Sequence, residues 1–239
     1  FHGNGVLTIN GVKSEGQFKN GKLNGEGSIT WTNGNYFQGE FVDGKKNGKG
    51  VIKFSNGNRF EGEFIDGLRH GFGIMTWPNG DEYEGEFRYG STYGKGIRNF
   101  SGNYYDGEFI RDYKRHGSGT MLWSNGNQYL GDWIDDSIEG EGIFIWVNGS
   151  RYEGGFKNNL KHGNGTFKST NGAIYKGEWI DNKKNGLGFF KWPDKSSYRG
   201  EFSGDEMHGN GIFITQNRVH FRVTHNNGEL ISSNSINDQ

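Results

Sequence analysis

The sequence predicts an all-β protein, an elongated single-sheet ribbon in which nine repeats of 23 residues run as an antiparallel meander of hairpins. Three observations carry that expectation: glycines at a fixed interval, period-2 alternation around them, and turn dipeptides between the alternating runs. The glycine of a recurring aromatic-x-Gly-x-aromatic pattern falls at Gly16, Gly39, Gly62, Gly85, Gly107, Gly131, Gly154, Gly177 and Gly200. The steps between them are 23, 23, 23, 22, 24, 23, 23 and 23. One deletion before Tyr105 and one insertion within Asp112–Arg115 account for the short and the long step. A period of this length marks stacked repeats, each touching mainly its neighbours.

Residues 1–13 read as a partial N-terminal repeat, with Gly3, Gly5 and Gly11. The nine repeats follow over 14–218. In the repeat that begins at Phe60, Phe60, Gly62 and Phe64 share one face while Glu61, Glu63 and Ile65 point away. In its second run, Gly73, Met75 and Trp77 share a face and Ile74 and Thr76 oppose them. A loop holding Gly67 and His70-Gly71 joins the two runs, and Asn79-Gly80 leads into the next repeat. Asn-Gly between alternating runs is the strongest short-range hairpin signal. From the fifth repeat onward the loop glycine gives way to Asp136, Asn159, Asn182 and Asp205. Asn and Asp tolerate left-handed backbone, so the turn survives. The fourth and fifth repeats, which carry the deletion and insertion, are where a local bend or a partner-specific feature is expected. Residues 219–231 read as a capping strand with Val223 at the glycine position, and 232–239 as a frayed tail.

The chain has 239 residues with 44 Gly and only 2 Pro, yet it carries 19 Phe, 11 Tyr and 7 Trp. Disordered glycine-rich chains are poor in aromatics, so these glycines serve fixed backbone positions. A net charge of −1 gives no field that would draw the chain onto nucleic acid. Cysteine is absent, which removes disulfides and thiolate metal sites and fits a reducing compartment. No apolar run approaches the ~18 residues of a membrane span. Residue 1 is Phe, so a trimmed chain is expected.

The pattern Tyr/Phe-x-Gly-x-Phe/Trp, then Gly-x-x-His/Asn-Gly-x-Gly, resembles the MORN repeat (membrane occupation and recognition nexus) from Ser14 to about Val219. Ser14, Tyr93 and Glu139 depart from it. The resemblance implies an extended, twisted sheet with a groove for a partner helix or extended peptide. It implies a non-catalytic protein-interaction scaffold in the cytoplasm, within a ciliary or flagellar axoneme or another cytoskeletal assembly. The alternative it implies is a peripheral membrane module that binds anionic lipid, the regulatory part of a larger protein such as a plant-type phosphatidylinositol phosphate kinase.

Three aromatic columns run along the repeats, and a sheet with no second layer is not expected to bury them all. Exposed apolar stripes mark contact surfaces, and Trp and Tyr dominate interface hot spots. The candidate partner-binding residues are therefore Trp31, Trp77, Tyr83, Tyr105, Trp123, Tyr129, Trp146, Tyr152, Tyr175 and Trp192. The acidic column Glu40, Glu63, Glu86, Glu108, Asp132, Glu178 and Glu201 reads as a solvated ladder paired with Lys53, Lys168 and Lys191. Near-identical repeats cannot each be a catalytic centre, so no enzyme is expected. His70, His116, His162 and His208 share a position with Asn24, Asn47 and Asn185, which suits a hydrogen-bonding turn residue and not a metal ligand. A strand follows each Gly-x-Gly where a nucleotide loop needs a helix. No cofactor, metal, nucleic acid or small-molecule substrate is expected. Basic residues ahead of the His/Asn position, Lys45, Lys46, Arg69, Lys114, Arg115, Lys161, Lys183 and Lys184, should line one edge and are the candidate anionic-lipid residues.

Overall fold

The computed structural model describes residues 1–236, which form 21 strands and no helix. The chain divides into two compact units, Phe1–Gly117 and the part from Ser118 onward. The first contains β1 (Gly3–Ile9), β2 (Val12–Lys19), β3 (Lys22–Thr30), β4 (Tyr36–Val42) and β5 (Lys45–Lys53). It continues with β6 (Arg59–Ile65), β7 (Leu68–Thr76), β8 (Glu82–Arg88), β9 (Ser91–Phe100) and β10 (Asn103–Ile110). The boundary falls in sequence inside β11 (Lys114–Leu122). The second unit contains β12 (Gln128–Ile134), β13 (Ser137–Ile145), β14 (Arg151–Lys157), β15 (Leu160–Lys168) and β16 (Ile174–Ile180). After these come β17 (Lys183–Lys191), β18 (Ser197–Ser203), β19 (Glu206–Ile214), β20 (His220–Asn226) and β21 (Glu229–Ile236). Within each unit consecutive strands pair antiparallel, as the alternation and the short turns require.

Two kinds of turn alternate. Between β6 and β7, Asp66 (φ 49°) and Gly67 (φ 87°) both adopt left-handed backbone, which is the signature of a two-residue type I′ hairpin. The substituted turns keep it: Asp136, Asn159, Asn182 and Asp205 have φ of 72°, 66°, 70° and 85°. The Asn-Gly turns are of the second kind. The Gly80 N–H donates to Trp77 O at 3.0 Å, and the Asn79 side chain accepts from the Asp81 N–H at 3.1 Å. This is a three-residue loop closed by a left-handed glycine.

The expected loop around His70-Gly71 is thus only Asp66–Gly67; His70 and Gly71 lie inside β7. There the register slips between Gly62 and Glu63, so that Gly62 faces Gly73 while Glu63 faces His70. The side chain of Glu63 folds over this bulge, and a Cβ on Gly71 would stand 2.4 Å from its carboxylate. In sister repeats the carboxylate accepts a backbone N–H: Glu40 from Lys49 at 2.9 Å, Glu178 from Leu187 at 3.2 Å and Glu201 from Asn210 at 3.3 Å. The acidic column therefore satisfies bulge amides and is not the expected ladder with Lys53, Lys168 and Lys191.

At the C-terminus the capping segment is a hairpin, since β20 pairs with β21. Ser232–Ile236, expected to fray, complete β21, and residues 237–239 lie outside the described residues.

Candidate functional site

The aromatic face is built on paired glycines. Gly85 lies opposite Gly96 and Gly154 opposite Gly165. Across each pair lies the ring two residues before the first glycine. A Cβ on Gly96 would meet the Tyr83 oxygen at 2.7 Å, and one on Gly165 would meet the Tyr152 oxygen at 2.3 Å. Only glycine lets the ring lie down on the backbone. Phe37 and Phe60 do the same in the first unit, with Cβ positions on Gly50 and Gly73 each 2.4 Å from the ring.

Rings laid flat bury one another. Tyr83 meets Phe87 at 5.3 Å and Phe109 at 5.0 Å between centroids, both edge to face. Tyr152 meets Phe156 at 5.1 Å and Trp179 at 5.4 Å, Tyr175 meets Trp179 and Phe202 each at 5.1 Å, and the pattern repeats along each unit. Edge-to-face pairs contribute ~0.5–1.5 kcal/mol beyond the burial itself. As a result Phe37, Phe60, Tyr83, Tyr105, Tyr129, Tyr152 and Tyr198 are 0% exposed and Tyr175 1%. The i+4 column from Phe18 to Phe202 is buried as well.

This corrects the expectation that a single layer leaves its rings exposed. Of the candidate partner-binding residues, Tyr83, Tyr105, Tyr129, Tyr152 and Tyr175 are core. Their hydroxyls donate to the carbonyls of Glu86, Glu108, Asp132, Gly155 and Glu178 at 3.0–3.2 Å. Burial holds the hydroxyls of Tyr83, Tyr129, Tyr152 and Tyr175 well above the ordinary phenol range. The tryptophans differ. Trp31, Trp77, Trp123, Trp146 and Trp192 stand where β3, β7, β11 and their equivalents end, and all remain half-exposed on this face.

The eight basic residues do not form one edge. They lie at the beginnings of strands, after two-residue turns or, for Lys114 and Arg115, after the enlarged one, so alternation sends neighbours to opposite faces. Lys45, Lys114 and Lys183 are exposed on the far side, where Lys45 pairs with Asp66 at 2.9 Å. The other five lean over the rings. Lys46 stands 5.1 Å from Phe64 and 5.9 Å from Trp31; Arg69 is 5.1 Å from Phe87; Arg115 is 6.0 Å from Tyr105. Lys161 is 3.9 Å from Trp179, and Lys184 is 5.2 Å from Phe190. Burial, with the Arg69 charge second, lowers the pKa of Lys46, and burial brings Lys161 down to about 8. The repeat position they share is also filled by Leu23, Thr92, Ile138 and Met207.

At Thr92 the chain fills its own face. The inserted residue, Tyr113 (φ 62°), lays its ring against Trp77 at 5.1 Å and Tyr83 at 5.2 Å. Its N–H donates to Thr92 Oγ1 at 3.0 Å. Arg69 donates to its hydroxyl at 3.5 Å and Arg98 to its carbonyl at 3.4 Å, and the Arg98 guanidinium lies 5.3 Å over its ring. Spacing alone marks the insertion but not the direction of Tyr113. The signal that could have found it is the small Thr92 in a column of long side chains.

The profile of the MORN repeat matches residues 15–36, 37–59, 60–82, 105–128, 129–151, 152–174, 175–197 and 198–218. That is eight repeats where spacing suggested nine. The stretch it passes over, 83–104, still forms a hairpin of β8 and β9 with its glycines paired. No curated protein matches the chain significantly. Among solved structures, the wild-type TCP10 domain of Danio rerio CPAP is 9% identical over 97% of this chain and 99% of that one, with a TM-score of 0.30. The SAS-4 (dCPAP) TCP domain of Drosophila melanogaster, in complex with a proline-rich motif of Ana2, is 15% identical over 84% of this chain and 90% of that one, with a TM-score of 0.35. Likenesses of this size carry no inference about what this chain binds.

Proposed function

Since the chain belongs to the MORN-repeat family, we propose that it is a non-catalytic protein-interaction scaffold that takes a partner segment along its aromatic face. The observation that carries this reading is the column of half-exposed tryptophans beside a floor of fully buried rings. The floor is close-packed and its tyrosine hydroxyls are hydrogen-bonded, a foundation suited to holding the tryptophans in place, and pre-organised aromatic anchors are what make interface hot spots. The setting proposed, a ciliary, flagellar or other cytoskeletal assembly in the cytoplasm, rests on the family alone.

The test is capture of partner proteins by the immobilised chain, compared with the variant Trp146→Ala plus Trp192→Ala. Proteins retained by the wild type and lost by the variant support the scaffold; identical sets overturn it. The alternative, an anionic-lipid module, retains fewer residues than the sequence suggested, because five of the eight cations turn onto the ring face. Sedimentation with anionic vesicles that is abolished by Lys45→Glu, Lys114→Glu and Lys183→Glu together would favour it over the scaffold.

A further inference from the structure

Lys161 and Lys184 occupy matching places in β15 and β17. Lys161 Nζ lies 5.3 Å from Phe167, whose ring is 5.6 Å from Trp146. Lys184 Nζ lies 5.2 Å from Phe190, whose ring is 4.7 Å from Trp192. Each ammonium thus sits one ring away from a half-exposed tryptophan. Cation–π attraction offsets part of the cost, but a half-buried charge still lacks the water it has lost.

No carboxylate stands within ion-pair distance of either lysine among the described residues. The ion pairs of this chain join other groups, as in Lys13–Glu15, Lys45–Asp66 and Arg151–Glu153. The acidic side chain whose charge reaches Lys161, Asp205, directs its oxygen to the Lys184 backbone N–H at 2.9 Å. Among the described residues the second unit therefore holds two ammoniums on an apolar face with no ion-pair partner, Lys161 feeling Asp205 only at longer range.

The first unit, where Thr92 stands at the position of Lys161, shows what cations on this face accept. At Trp77 the occupant is Tyr113, a ring that lies on Trp77 and Tyr83 and turns a hydroxyl and a carbonyl oxygen towards Arg69 and Arg98. Apolar surface with oxygen acceptors facing the cations is the chemistry that fits.

We propose that the β15–β17 region binds an acidic amphipathic segment of a partner protein, with carboxylates on Lys161 and Lys184 and apolar side chains on Trp146 and Trp192. The proposal rests on the aromatic-face reading and adds to it the charge of the partner. The two lysines lie two strands apart, roughly 10 Å at the usual strand spacing. Carboxylates that far apart and on one side recur about every third residue in an extended polyproline II segment and about every seventh in a helix.

The experiment uses the full chain and synthetic fluorescent peptides of apolar residues, with Glu at every third or every seventh position. Counterparts carry Gln or Lys in place of Glu. One of the Glu peptides is expected to bind, the Lys peptides are not, and Lys161→Gln with Lys184→Gln should raise its Kd about tenfold, with Lys161→Arg and Lys184→Arg restoring it. Equal binding of Glu and Lys peptides, no binding of either Glu peptide, or an unchanged Kd in the glutamine variant would overturn the proposal. The Gln peptides separate the two readings. If Trp146→Ala with Trp192→Ala weakens them while the lysine variants leave the Glu peptides unaffected, the groove stands and its acidic partner falls. If the tryptophan variants weaken neither peptide, both fall.

Discussion

The surroundings of Trp77 and of Trp146 are the same construction in two states. Each tryptophan stands beside a tyrosine laid on a glycine pair, Tyr83 in one case and Tyr152 in the other, with cations over the rings. Near Trp77 an inserted residue of the same chain covers the face, and both guanidiniums donate to its oxygens. Near Trp146, which stays half-exposed, no such inserted ring lies on the face, and Lys161 stands over the rings of Phe167 and Trp179. The difference lies in one inserted turn residue and in the side chains around it, Thr92 and Arg98 standing where Lys161 and Phe167 stand in the later repeat. The comparison teaches that the aromatic face has a preferred kind of occupant and that the protein supplies one copy itself.

The largest expected effect tests whether the two floors are equivalent. Gly96→Ala and Gly165→Ala each drive a methyl into a tyrosine ring, and each should cost about 3 kcal/mol, the upper end of what overpacking costs. Urea midpoints that fall for one variant and not the other would show that the two sites are built differently. Next comes Tyr113→Ala, which empties the filled site. Loss of a partly covered ring should destabilise the protein by about 2 kcal/mol, less than the ~3–5 of a core aromatic. The same variant should raise the number of Glu peptides bound per chain from one to two in a titration, since Arg69 and Arg98 would then face an empty place.

Tyr152→Phe removes a single buried hydroxyl that donates to Gly155 O at 3.0 Å. It should cost about 1 kcal/mol, because it leaves one carbonyl unpaired. The first-unit rings Phe37 and Phe60 manage without that bond, so a much larger loss would mean that the hydroxyl does more than anchor its ring.

The remaining effect is a pH dependence from Lys161. Its pKa in the fold is about 8, against an ordinary 10.5, so its charge opposes folding below pH 8. That opposition fades as pH rises from about 8 to 10.5, where the unfolded chain binds more protons than the folded one. Wild type should therefore gain stability relative to Lys161→Met across this window, in urea unfolding at pH 7 and pH 10. The groups that act on Lys161 are the rings of Tyr152, Phe167 and Trp179, with Asp205 holding its proton on and Lys184 driving it off. A bound Glu peptide should abolish the gain, because its carboxylate favours the charged lysine.

Much of the fold was legible because glycine spacing and period-2 alternation are local signals. The hairpins, the left-handed turns at Asp136, Asn159, Asn182 and Asp205, and the sharing of a face by Phe60 and Phe64 all followed from them. Burial was not legible. That Tyr83 is core depends on its ring lying on Gly85 and Gly96, one of which belongs to the next strand. Nor was the sorting of Lys45 from Lys46, which depends on the turn ending one residue before them. Taking the loop as longer placed both lysines on one edge. The family profile and the spacing also part company over 83–104, where the turn chemistry has changed and the glycine pairing has not.

The extra residue in the turn after β10 leaves the glycine pairing on the neighbouring hairpin undisturbed, with Gly96 still opposite Gly107. A hairpin array is then free to vary at its turns while its sheet stays fixed. Duplication can copy a whole repeat, and a later one-residue change at the copied turn can close one docking place and spare the next. In such a lineage the repertoire of partners would drift by single codons at the turns, and the number of repeats would set only how many places there are to drift.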